Sequence, residues 1–259
     1  METISANIYD FPAYYDLLFG SDWRAEYHFL EACFDRHMNR PVKSLFEPAC
    51  GTGRLLSRFA KAGYEVSGLD LNEKAIDYCN ARLKRMGFSE STFVADMTDF
   101  RLKKKVDVAF NTINSFRHLQ TEKQAVTHLH CIANCLKKGG IYILGFHLTP
   151  TRGPICDEET WTARRGHLAV LSHMWSINID NKKRLERVGM TVEVWTPSEQ
   201  FRIAEEMNFR TYTAAQFRRT LGKIDNLEMV ECYDFAYNID QPIKIDATSE
   251  DVVFVLRKK

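Results

Sequence analysis

The sequence predicts an α/β protein built on a mostly parallel sheet, with a helical segment at its N-terminus and an antiparallel β insertion late in the chain. Three observations carry this. Between residues 41 and 147, short apolar runs alternate with helical patterns of about ten residues, as in successive βαβ units. Residues 1–40 are aromatic and amphipathic at a helical period. After residue 148 the rhythm changes to long runs broken by turn residues. The chain therefore divides into an N-terminal helical segment (1–40), an alternating α/β core (41–147), a β insertion (148–210) and the last part of the core sheet (211–259).

In the first segment Tyr9, Tyr14, Tyr15, Phe19 and Trp23 cluster, and the helical period continues to Pro41. In the core, Ser44–Glu47 reads as a buried strand and Arg54–Ala62 as a helix stopped by Gly63. Glu65–Asp70 is a second strand. A helix over Asn72–Met86 follows, with Asn72 as N-cap and Gly87 just past its end. Thr92–Ala95 and Val106–Phe110 are the next strands; a helix over Thr121–Lys137 closes at Gly139-Gly140, and Ile141–Phe146 is the fifth strand. Right-handed crossovers place helices on both faces. Thr149–Pro154 is a turn-rich linker. Leu168–Ile179 and Arg187–Trp195 read as a hairpin about Asp180-Asn181, with Gln200–Glu205 as a third strand. Ala214–Leu221 is a helix with Thr213 as N-cap, and Leu227–Tyr237 and Val252–Leu256 are the final strands.

The composition narrows the function classes. The chain has 259 residues, 45% apolar and 27% charged, enough for a large core and unlike a disordered or fibrous protein. Thirty-five basic residues against thirty-four acidic ones give a net charge of +1, which argues against a nucleic-acid partner. Seven scattered cysteines without a CxxC pair read as reduced thiols of a cytoplasmic protein. No secretory signal and no membrane-length apolar run is visible. His128, Cys131 and Cys135 share one helix face, but without a fourth ligand they read as core residues, and no metal is expected.

The chemistry begins at Glu47-Pro48-Ala49-Cys50-Gly51-Thr52-Gly53, where an acid ends a strand and a Gly-x-Gly turn opens a helix. Gly51 and Gly53 permit positive φ and a close backbone approach, and the helix start offers free N–H groups. Asp70 ends the next strand, seventeen residues after Gly53, where an acid is placed to bind ribose hydroxyls. The third glycine of a dinucleotide fingerprint is missing. Glu47 would repel a pyrophosphate and suits a cationic ligand group. The pattern disfavours NAD and favours S-adenosylmethionine.

With these residues the sequence resembles the class I S-adenosylmethionine-dependent methyltransferases. The resemblance extends through Val94-Ala95-Asp96-Met97, Phe110–Ser115 and Leu136–Gly140, in the family's order over about 40–147. It implies a Rossmann-like sheet whose last strand is antiparallel. It implies that Glu47, Gly51 and Gly53 line the methionine part of the cofactor, that Asp70 binds the ribose with Leu71 on the adenine, that Asp96 and Met97 contact the adenine, and that Asn111 and Thr112 close the site near the methyl group. The Tyr-Asp start at Tyr15-Asp16 resembles the sugar-amine and glycine N-methyltransferases, in which an N-terminal helix lids the cofactor; Tyr15 and Trp23 would then flank its methionine end. The insertion resembles that of the sugar-amine group and leaves room for a homodimer through it.

The acceptor implied is a small molecule, with an amine nitrogen favoured. An amine must shed a proton, and histidine is the usual base at neutral pH. His118 follows the fourth strand and His147 ends the fifth, at the carboxyl ends where open α/β sheets bind ligands. Arg117 is a candidate for a substrate carboxylate but reads more simply as an exposed arginine. Oxygen, sulfur, RNA and protein acceptors stay open, as does a nucleoside-binding module without catalysis.

Overall fold

The computed structural model describes residues 1–153 and 158–259. Pro154 of the expected linker and Cys156 lie outside the described residues.

Five parallel strands form the centre of the first sheet: β2 (Ser44–Pro48), β3 (Glu65–Asp70), β4 (Thr92–Val94), β5 (Val106–Asn111) and β6 (Leu136–His147). Their order is β6-β5-β2-β3-β4. The chain leaves β2 towards one edge and returns to β5 on the other side, which makes the β2/β5 boundary the switch point where such sheets bind ligands. Beyond β6 the sheet is completed by β12 (Asp251–Lys258), antiparallel to β6, and by β11 (Leu227–Tyr233), antiparallel to β12. The connecting helices are α3 (Leu56–Lys61), α4 (Glu73–Arg85), α5 (Glu122–Cys135) and α6 (Ala214–Leu221). Asn72 caps α4 by accepting the Ala75 N–H at 3.0 Å. Thr121 with Gln124, and Thr213 with Gln216, form capping boxes on α5 and α6.

Alternate residues of the buried strands feed two cores. Phe46, Ala109, Tyr142, Leu144 and Phe146 face α5 and α6. Leu45, Val108, Phe110, Ile141 and Ile143 face α3 and α2 (Arg24–His37). The helix expected to run to Lys137 ends at Cys135, because Leu136 already pairs with Val106. The sheet passes Gly140 so closely that a Cβ there would lie 2.7 Å from the Asp107 carbonyl. The strand expected over Leu227–Tyr237 also stops early, at Tyr233, and Tyr237 takes a left-handed φ of 54° beyond it.

The second sheet has the order β1-β10-β9-β8-β7. Three of its strands correspond to the expected insertion: β8 (Leu168–Asp180), β9 (Leu185–Trp195) and β10 (Gln200–Arg210), the last longer than the sequence suggests. Two were not expected. One is β7 (Glu158–Arg165), antiparallel to β8. The other is β1 (Glu2–Ser5), which pairs in parallel with β10, Ile4 opposite Ile203. The N-terminal segment is thus not wholly helical. Its first residues belong to the second sheet, and a turn of 3-10 helix (Ile8–Asp10) leads to α1 (Pro12–Gly20). Leu17 and Leu18 of α1 pack with Ile8 against Val170, Val192 and Val194 of the inner sheet face. Among the described residues, no helix is long and apolar enough to cross a membrane.

Candidate active site

The loop after β2 is built on left-handed backbone. Ala49, Gly51 and Gly53 have φ of 53°, 52° and 66°. Gly53 is required twice over, since a Cβ would also fall 2.2 Å from the Cys79 Sγ of α4. A Cβ on Gly51 would meet only the Tyr15 ring, at 3.6 Å. The helix begins at Leu56, later than expected. Asp70, at the head of β3, joins two loops: Oδ2 accepts the Gly51 N–H at 2.8 Å and Oδ1 the Asn72 N–H at 2.9 Å. Burial raises its carboxyl pKa, and these backbone donors oppose the rise.

A cavity of about 510 Å³ runs across the carboxyl ends of the parallel strands, roofed by α1 and the second sheet. Of the residues singled out in the sequence, Tyr15, Gly51, Asp70, Leu71, Asp96, Met97, His118 and His147 line it. Leu71 is 73% exposed and offers a bare apolar face beside Asp70. Asp96 turns part of its carboxylate inward on its own loop, accepting the N–H and hydroxyl of Thr98.

Glu47, Gly53, Asn111, Thr112 and Trp23 are not brought to the cavity lining. Glu47 is buried, its Oε2 has no hydrogen-bond partner, and burial raises its pKa well above the carboxylate range. Asn111 donates to the Pro48 carbonyl at 2.7 Å, leaving its Oδ1 unpartnered as well. Thr112 gives its hydroxyl to Glu26. Trp23 packs under the Arg58 guanidinium, 4.1 Å from its ring centre, and against Tyr27. This cation–π contact turns Trp23 to the helix surface rather than to the cavity.

The two histidines differ. His118 Nε2 and the Tyr9 hydroxyl are 3.0 Å apart, and its ring packs on Phe209. Burial, with Arg117 beside it, lowers its pKa to about 4, so it is neutral at physiological pH and weakly basic. His147 Nδ1 lies 2.6 Å from Asp251 Oδ1 of β12. A carboxylate only accepts, so the hydrogen between the two groups is carried on Nδ1. Arg117 corrects the sequence reading: it is buried, paired with Glu186 at 2.5 Å and donating to the Arg210 carbonyl, because β10 covers it. His128 has both ring nitrogens engaged, by the Met97 carbonyl and the Tyr142 hydroxyl.

Sequence reasoning missed the buried charges that hold the N-terminal helices to the core. Asp16 of α1 accepts from Thr52 at 3.1 Å and pairs with Arg82 of α4 at 2.5 Å. Glu26 of α2 pairs with Arg54 at 2.5 Å. The available signal was a charge set within an apolar helical run, as in Tyr-Tyr-Asp-Leu-Leu. Glu159 of β7 was also missed; it enters the cavity from a strand that was not expected.

The strand order, with its one reversed strand and a glycine loop clamped by the acid of the next strand, defines a class I methyltransferase architecture. Residues 46–140 match a family model described as a methyltransferase domain. The chain is 29% identical over 179 residues to a dTDP-3-amino-3,4,6-trideoxy-α-D-glucopyranose N,N-dimethyltransferase of Streptomyces venezuelae, covering 66% of this chain and 72% of the relative. It superposes on an S-adenosylmethionine-dependent methyltransferase of Clostridium acetobutylicum with a TM-score of 0.77 at 18% identity, covering 97% and 99% of the two chains. CalS10, an amino pentose methyltransferase of Micromonospora echinaspora solved with S-adenosylmethionine, gives 0.74 at 18% identity over the full length of both. The chain thus carries a methyltransferase domain at residues 46–140, within a fold shared along its length with S-adenosylmethionine-dependent methyltransferases.

Proposed function

We propose that this enzyme methylates the amine nitrogen of a small molecule in the cavity between its two sheets. The observation that supports this most is that one continuous cavity joins the Gly51–Asp70 loop pair to His147, with the N-terminal helix as its roof.

The residues present fit S-adenosylmethionine. Glu47 and Asn111 are set back from the cavity lining, but their Oε2 and Oδ1 are buried acceptors without donors on the adjoining strands β2 and β5, and an ammonium group reaching past the loop would supply the donor they lack. The Asp70 carboxylate retains lone pairs for ribose hydroxyls, and exposed Leu71 suits a purine face. Tyr15 would cover the methionine end, and Asp96 and Met97 the adenine. When bound, the cofactor supplies a methyl group activated by a positive sulfur. The roof of α1 and the second sheet excludes water and fixes the approach of the two reactants. His147 Nε2 takes the proton from the acceptor ammonium, and Asp251 stabilises the resulting imidazolium. His118, neutral and joined to Tyr9, orients the acceptor.

Calorimetric titration with S-adenosylmethionine, with NAD as the control, tests the cofactor. Mass spectrometry of an amine panel incubated with the loaded enzyme tests the transfer. Tight S-adenosylmethionine binding with methylated amine products is expected. Binding without transfer to any amine, while alcohols or thiols are methylated, would overturn the nitrogen assignment. Binding without any transfer would indicate a module that has lost its chemistry.

A further inference from the structure

The cavity beyond His118 has a composition that selects its occupant. Among the described residues, neither lysine nor arginine lines it; its charged side chains are Asp70, Asp96 and Glu159. A phosphate or carboxylate taken out of water needs a cation or free backbone donors to offset its desolvation. Two arginines on neighbouring elements are committed elsewhere: Arg117 to Glu186, and Arg165 to Asp16. The starts of α4 and α5 do not substitute, because their own Asn72 and Thr121 side chains cap them.

What the wall does offer is apolar and acidic. Glu159 on β7 stands opposite Met174 on β8, which stands opposite Met190 on β9. Trp161, two residues after Glu159 and on the same face, meets the Phe19 ring of α1 with centroids 6.1 Å apart. We propose that the acceptor is an apolar amine without phosphate, its ammonium held by the Glu159 carboxylate and its body by the methionine and aromatic wall; this rests on the methyltransferase reading above. Carboxylate and aromatic faces together favour a cation, and thioethers adapt to an apolar body of varied shape. Burial of the Glu159 carboxyl raises its pKa, which an ammonium partner would reverse. The assignment separates this chain from its Streptomyces relative, whose name specifies a dTDP-linked sugar.

The test uses the full chain and three probes: 2-phenylethylamine, the neutral 2-phenylethanol and thymidine diphosphate. Phenylethylamine should bind and be methylated when S-adenosylmethionine is present, and thymidine diphosphate should not compete. Glu159→Gln should weaken phenylethylamine binding by about tenfold or more, with phenylethanol and S-adenosylmethionine binding unchanged. Competition by thymidine diphosphate, or a Glu159→Gln variant that binds the amine like the parent, would overturn the inference and leave the methyltransferase reading standing. Glu159-dependent amine binding in a protein that does not bind S-adenosylmethionine would overturn that reading instead and leave the amine site.

Discussion

The Asp16 carboxylate of α1 accepts the hydroxyl of Thr52, 3.1 Å away in the Gly51–Gly53 loop, so the roof of the cavity is tied directly to its floor. The same carboxylate pairs with Arg82 of α4 at 2.5 Å, and both groups are largely buried. Asp16→Ala leaves the Arg82 charge short of its partner and should cost about 3 kcal/mol. It should also weaken S-adenosylmethionine binding by about tenfold, since the roof loses its anchor. Urea denaturation and calorimetry check both, and unchanged affinity in a destabilised variant would show that the tie serves the fold alone.

Two glycines of that loop separate steric from conformational demands. Gly51 has free space around its Cα apart from the Tyr15 ring, so Gly51→Ala should cost only the left-handed strain, about 1 kcal/mol. Its methyl would nonetheless enter the cavity and impair cofactor binding. Gly53→Ala carries the same strain and drives a methyl into Cys79 Sγ, so it should be less stable than Gly51→Ala by about 1–3 kcal/mol. Thermal melts of the two variants decide the order.

Asp70 acts on the loop and, in the proposed complex, on the ribose. Asp70→Ala removes the acceptor of two backbone N–H groups and should lower stability by about 1–3 kcal/mol. Cofactor affinity should fall by about a hundredfold or more, far beyond what loop loosening alone produces. A variant that binds S-adenosylmethionine normally would remove Asp70 from the ribose site.

How much of this was legible in the sequence depends on the range of the interaction. The parallel strands, the Asn72 and Thr213 caps and the placing of Gly51 and Asp70 at the heads of neighbouring strands are local or follow from βαβ order, and the residue pattern carried them; the hydrogen bond from the Gly51 N–H to Asp70 was not expected. The β1 strand did not show, because Glu2–Ser5 is short, largely exposed and paired with residues about two hundred positions away. β7 was missed for a related reason: its pattern Glu-Glu-Thr-Trp-Thr-Ala-Arg-Arg has few apolar residues, although Trp161 and Ala163 face inward. Glu159 was lost with it. Trp23 carried an aromatic signal that a helix-surface arginine, Arg58, absorbs. Aromatic composition reports that a ring is covered, not by what.

Two histidines cost stability in acid, against the opposite contribution of the Glu47, Asp70, Glu159 and Glu205 carboxyls, whose burial-raised pKa values favour the folded state as pH falls. Burial lowers His118 and His128 to about 4, against an unfolded value of about 6.5. The unfolded chain therefore binds more protons between these limits, and stability is lost as pH falls from about 6.5 to 4, by roughly 3 kcal/mol per histidine at the lower end. Urea midpoints measured across the acid range isolate the histidine contribution when a variant is compared with the parent. His128→Gln should be less stable at pH 7, where it loses contacts to Met97 and Tyr142, yet show a shallower acid slope. An unchanged slope would mean that His128 titrates normally.

The proton step distinguishes the roles of His147 and His118. His147, oriented by Asp251 at 2.6 Å, is the proposed base, whereas His118 is held neutral beside Tyr9. His147→Ala should lower kcat by about a hundredfold at pH 7 and recover as pH rises towards the pKa of the free amine, where the acceptor needs no base. Asp251→Asn should reduce kcat less, since the imidazole remains but loses its fixed tautomer. His118→Ala, by contrast, should raise KM for the acceptor and leave the shape of the pH–rate profile intact. If the His118 variant instead showed the pH-rescued loss of kcat and the His147 variant did not, the two roles would be exchanged.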